Sequence, residues 1–150
     1  MSTDASNLRV FAFRLCPGQD LRQGLLDFAK ERNLRAPLVL TCVGSLTDVV
    51  LRYANRSDPT IRRGHFEIVS LVGLVDPPRG HLHLCVADGD GQTTGGHLLD
   101  GCLVYTTAEI VLGELMALEF HRTPDSATGF NELVVGMRAD RWRTPESGIS

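Results

Sequence analysis

The segment His81–Ala87 reads HLHLCVA, with polar and apolar positions alternating. Side chains on a strand point to opposite faces in turn. Leu82, Leu84 and Val86 therefore share one face, and His81, His83 and Cys85 share the other. Such an apolar face demands a core beneath it. The next residues, DGDG at 88–91, tolerate positive φ and make tight turns. TTGGHL then returns as a second strand. The segment predicts a β-hairpin with one buried face and one face bearing histidine.

Turn length decides where His97 goes. An odd-length turn centred near Asp90 sets His97 opposite His83, and one centred on Gly89 sets it opposite His81. Either register brings three imidazoles to one face. A four-residue loop would move His97 to the Leu82 face. The glycines also invite comparison with a phosphate loop, since GDGQTTG at 89–95 is one residue off the dinucleotide fingerprint. HLLDG leaves no length for the required helix before Gly101. The only lysine of the chain is Lys30, so the lysine of a phosphate loop is missing as well.

His-x-His on one strand with a third histidine beside it suits a zinc-like ion, and iron, nickel or cobalt also fit imidazole. Three protein ligands leave a fourth position open to water or substrate. A plain polar strand face with exposed histidines explains the spacing equally well. Cys85 shares the histidine face and as a fourth ligand would close the site. His65 and His121 read as solvated or locally satisfied side chains.

The 150 residues predict a single domain. Leu8–Leu15 reads as a strand, and Asp20 caps a helix running to about Arg32. Leu21, Leu25, Phe28 and Ala29 fall on one face of that helix. APLVLTCVG and SLTDVVLRYA read as two strands separated at Gly44. NRSDPTIRRG reads as a loop and HFEIVSLVGLVD as a strand. CLVYTTAEIVLGELMALEF begins as strand, and past Gly113 strand and helix fit equally. HRTPDSATG reads as a loop and FNELVVGM as a last strand. The fold class is α+β, a largely antiparallel sheet with one early amphipathic helix.

The formal net charge is -3, so no basic surplus points to DNA. Cys16, Cys42, Cys85 and Cys102 form no C-x-x-C pair and read as small buried apolar residues. The N-terminus lacks the pattern of a signal peptide, and no apolar run approaches membrane-spanning length. A cytoplasmic setting is expected, with a nuclear one as the alternative.

The chain resembles the PPC domain (plants and prokaryotes conserved). The matching pieces are RVFAFRLCPGQDLRQGLLDFAKERNL, GSLTDVVLRYAN, HFEIVSLVGLV, HLHLCVADGDGQTTGGHLLDG and LVYTTAEIVL, in an order spanning about Leu8 to Val135. The resemblance implies a homotrimer. It also implies a metal held by His81, His83 and His97, as in prokaryotic-type members. Plant members bind DNA through an Arg-Gly-Arg-Pro hook; here there is only PPRGH, so DNA contact has no support beyond the resemblance. The expected organisation is a disordered N-terminus at 1–7, a PPC-like domain at 8–137 and a mobile polar tail at 138–150. Arg138, Arg141 and Arg143, beside Trp142, make that tail basic.

Two functions remain open from sequence. One is a regulatory or binding module for a small molecule, a partner protein or DNA. The other is a metal-dependent hydrolase or lyase with the metal's water as nucleophile and Glu109 as base or as orienter of a histidine. The histidine strand faces offer mainly Cys85, Thr93 and Gly95 as further groups, which favours the module.

Overall fold

The computed structural model describes residues 5–138. The order is β1 (Leu8–Leu15), α1 (Leu21–Glu31), β2 (Pro37–Arg52), β3 (Thr60–Leu74), β4 (His81–Ala87), β5 (Thr93–Leu98), β6 (Leu103–Leu115), β7 (Leu118–Pro124) and β8 (Asn131–Met137). A 6-stranded antiparallel sheet runs β1-β6-β2-β3-β4-β5, and β7-β8 form a separate 2-stranded sheet. β5 also pairs with β2, through Leu51↔Leu98 and Arg52↔His97. Strands β2 to β5 therefore close a circuit of hydrogen-bonded neighbours, with β6 and β1 extending from it.

The helix begins where expected. The Asp20 carboxylate accepts from the Gln23 N–H at 2.8 Å, and its other oxygen accepts from the Gly101 N–H. One residue thus caps the helix and fastens it to the β5–β6 turn. Leu21, Leu25, Leu26 and Ala29 are buried in the core beneath the sheet. Phe28 lies at the rim of this face, stacked on Phe13 with centroids 3.9 Å apart.

The expected strand break at Gly44 does not occur. β2 runs through it with register irregularities against β6. A Cβ there would stand 2.0 Å from the Thr107 carbonyl oxygen, and φ is +144°. Gly44 is a close-approach position in a continuous strand rather than a terminator. β3 likewise begins at Thr60, inside the expected loop. Past Gly113 the chain stays extended to Leu115, turns, and continues as β7 into the second expected loop.

Ser6 and Asn7, expected to be disordered, are tied to the β6–β7 turn: Ser6 Oγ accepts from the Ala117 N–H and the Asn7 carbonyl from the Met116 N–H. Arg138, assigned to the mobile tail, donates its N–H to the Ala117 carbonyl and lies 3.7 Å from Glu114. Arg141, Trp142 and Arg143 lie outside the described residues.

The buried carboxylate of β6 is Glu114, not Glu109. Glu114 is fully buried, receives the Arg9 guanidinium and accepts the Arg35 N–H at 3.0 Å. Glu109 is exposed, opposite Arg14 on β1 and Val43 on β2. Removing the Glu114 carboxylate orphans the Arg35 N–H and frees two arginines that can still reach water. Glu114→Ala should therefore cost about 2–3 kcal/mol, the range of lost hydrogen bonds to a charged group. Glu114→Gln, which keeps an acceptor, should cost less. Urea unfolding checks this, and an alanine variant as stable as the parent contradicts it.

Candidate metal centre

The alternation on β4 survives into the structure. Leu82, Leu84 and Val86 are buried, while His81 and His83 are exposed. Asp88 then shapes the turn. Its Oδ1 accepts from the Gln92 N–H at 2.9 Å and the Asp90 N–H at 3.1 Å, and its own N–H donates to the Gln92 carbonyl. The first pair after the turn's start is Ala87↔Thr93, so the turn is odd-length and centred on Asp90. His83 is consequently set opposite His97. On the other side, Gly73 lets β3 come close to β4: a Cβ on it would lie 2.0 Å from the His81 carbonyl oxygen.

The three rings meet. Centroids are 5.2 Å apart for His81–His83, 5.2 Å for His81–His97 and 4.5 Å for His83–His97. One nitrogen from each lies within 4.8 Å of the others. A tetrahedral ion at ~2.0–2.1 Å from each nitrogen needs them roughly 3.3 Å apart, a change that side-chain torsions can supply. The donor set, three imidazoles at an exposed strand surface, fits a zinc-like ion and leaves its outer side open. Cys85 is not part of this group; it is half-buried, between Gly95 on β5 and Ser70 on β3. Glu109 is not part of it either.

The surroundings are more charged than the strand faces alone suggested. Although exposed, the His81 ring is partly desolvated by its surroundings, which holds it below the ordinary imidazole value, with His83 and Arg122 adding to the effect and Asp76 and Glu132 opposing it. Burial also lowers His97, followed by the charge of Arg52 and then His83 and His81. Arg122 is itself held by Asp76 through contacts of 2.9 and 3.1 Å, which dock β7 onto the segment after β3. Sequence reasoning missed Arg52, Asp76, Arg122 and Glu132, because each reaches the histidines through pairing or docking of elements distant in sequence. Arg52 carried one legible signal, its place at the end of an apolar-alternating run.

The remaining candidates fall elsewhere. The exposed His65 ring packs against Tyr105 at 4.4 Å, and His121 sits 3.1 Å from the Glu119 carboxylate. Cys42 and Cys102 are buried, and burial pushes both thiols up to about 12. Cys16 corrects the expectation of four buried cysteines: it is exposed, just past the end of β1 where the chain leaves the sheet.

The lowered histidines have a consequence for stability. Protons bind the unfolded chain more readily than the folded one below about pH 6.5, the ordinary imidazole value. Metal-free protein should keep this stability above that pH and lose it as pH falls through the range. Thermal melts from pH 7.5 to 5.5 should show a declining midpoint, with a shallower decline in a His81→Gln, His97→Gln variant. Identical slopes would contradict the assignment.

The chain is 48% identical over 141 residues to the bifunctional protein GlmU of Synechococcus sp. (strain JA-3-3Ab), covering 94% of this chain and 22% of that protein. It thus spans about a fifth of that relative's length. It is 30% identical to the AT-hook motif nuclear-localized protein 16 of Arabidopsis thaliana, over 79% of this chain and 48% of that protein. A hypothetical protein from Salmonella enterica superposes with a TM-score of 0.88 at 45% identity, over 90% of this chain and 98% of that one. A metal-containing protein from Archaeoglobus fulgidus shares the fold, with a TM-score of 0.75 at 24% identity, over 89% of this chain and 99% of that one. Residues 2–116 match the Plants and Prokaryotes Conserved (PCC) domain, and the chain belongs to that family.

Proposed function

We propose that this chain is a metal-binding module in which His81, His83 and His97 hold one zinc-like divalent transition ion. The observation that carries this reading is the convergence of three imidazole nitrogens within 4.8 Å on one strand face. The lowered basicity of His81 and His97 favours the neutral, ligating form. When bound, the ion would supply Lewis acidity and a coordination position open to a small ligand. The match to a fifth of a longer bifunctional protein supports a unit that works beside other domains. The net charge of -3 supplies no phosphate-neutralising surplus, so DNA is left out of the reading. The free cysteines suit a reducing, cytoplasmic setting.

A homotrimer is part of the proposal. Val10, Leu40, Val43, Val69 and Val72, on β1, β2 and β3, are exposed apolar residues of one chain. These side chains would gain by being buried between copies. Sedimentation equilibrium should give three times the chain mass; a monomer at all concentrations would overturn this part.

A second reading has an observation of its own. Arg122, Asp76 and Glu132 bear electrostatically on His81 and Arg52 on His97, so the histidines have the charged neighbours that a hydrolase or lyase would need. Turnover of an ester, phosphoester or amide that stops with chelator would favour it over the module.

Protein purified without an affinity tag should carry about one metal per chain by elemental analysis. His81→Ala, His83→Ala should lose nearly all of it while keeping its fold. Unchanged metal content in that double variant would sink the site. Because a ligand that binds only the folded state stabilises it, chelation should also lower the melting temperature of the parent and leave the double variant unmoved.

A further inference from the structure

Arg52 is the feature that the metal reading does not use. It ends β2 and faces His97 across the strand pair. Residues directly opposite in an antiparallel pair project to the same face, with Cβ atoms roughly 4.5–5.5 Å apart. The two side chains therefore leave the sheet together, and the charge of Arg52 is felt at the His97 ring. Arg52 is half-buried, and no carboxylate pairs with its guanidinium among the described residues. The other arginine near the histidines, Arg122, is occupied by Asp76.

A free cation beside three neutral imidazoles works against a bound dication, because like charges repel at this range. The arrangement becomes favourable when an anion lies between them. Room exists there. Gly95 is exposed on the same face of β5 as His97, opposite Cys85. A Cβ on Gly95 would meet the Leu84 carbonyl oxygen at 3.1 Å and the Cys85 Cβ at 3.4 Å, so a side chain there would crowd β4 on the histidine face.

The geometry points to a small-oxyanion site, resting on the proposed metal centre, in which Arg52 grips a carboxylate or phosphate group placed at the ion's open side and Gly95 keeps the space clear. Guanidinium groups match both anions with charge-assisted, bidentate hydrogen bonds. The class of ligand is thus a small acid or phosphorylated molecule rather than a neutral one.

Cobalt(II)-loaded protein tests this, since the visible absorption of cobalt reports its coordination. Acetate and inorganic phosphate are titrated separately, which tells the two anions apart. The parent should respond to at least one of them at millimolar concentration or below. Arg52→Ala should bind that anion about ten- to a hundred-fold more weakly, the loss expected for hydrogen bonds to a charged group. Arg52→Lys should recover part of the affinity. Gly95→Val should also weaken the anion, and all three variants should keep the parent's cobalt content. If the parent takes up no cobalt, the metal reading fails and this one with it. If cobalt binds but neither anion changes the spectrum, or Arg52→Ala binds it as the parent does, the oxyanion site alone is overturned.

Discussion

Strand β2 serves three neighbours, and the rest of the chain is arranged around that. One edge pairs with β3; the other pairs with β6 along most of its length and then with β5 at Leu51 and Arg52. A strand of 16 residues can do this only if it bends, and the register irregularities around Leu46 and Asp48 mark where it does. Gly44 supplies the close approach to β6 just before them. Closing β5 back onto β2 buries Leu51 and Leu98 in the core and turns Arg52 and His97 outward together. The candidate centre is thus a product of the closure and not of the hairpin alone.

The electrostatics follow from the same arrangement. Glu114 and Asp76 are both buried acids, and each is met by arginine. One pairing fastens β1 to β6, and the other docks β7 onto the segment between β3 and β4. Asp76 and Arg122 largely offset one another, while Arg52 has no such partner among the described residues. The His97 side of the centre is therefore the more positive one, and an incoming anion would be drawn there.

Much of the fold was legible because it is written in local periodicity. The helix cap at Asp20, the single amphipathic helix and most of the strands follow from spacing. The misreadings share a cause. Gly44 and the polar run from Thr60 to Gly64 look like breaks locally, yet neighbouring strands hold both extended. Glu109 and Glu114 sit on one strand five positions apart, and nothing near them says which is buried. The answer depends on Arg9, Arg35 and Arg138, which arrive from elsewhere in the chain.

The sequence by itself determined that His81 and His83 share a face, since strand alternation is a property of the backbone. It also narrowed His97 to that face for any odd-length turn. Only the tertiary structure decided that Asp88 centres the turn on Asp90, and that Arg52, Asp76, Arg122 and Glu132 surround the rings. The turn follows from the hydrogen bonds that Asp88 makes within it; the neighbouring charges depend on pairings between strands far apart in the chain, whose energies come from burying a shared core. No short segment carries that information.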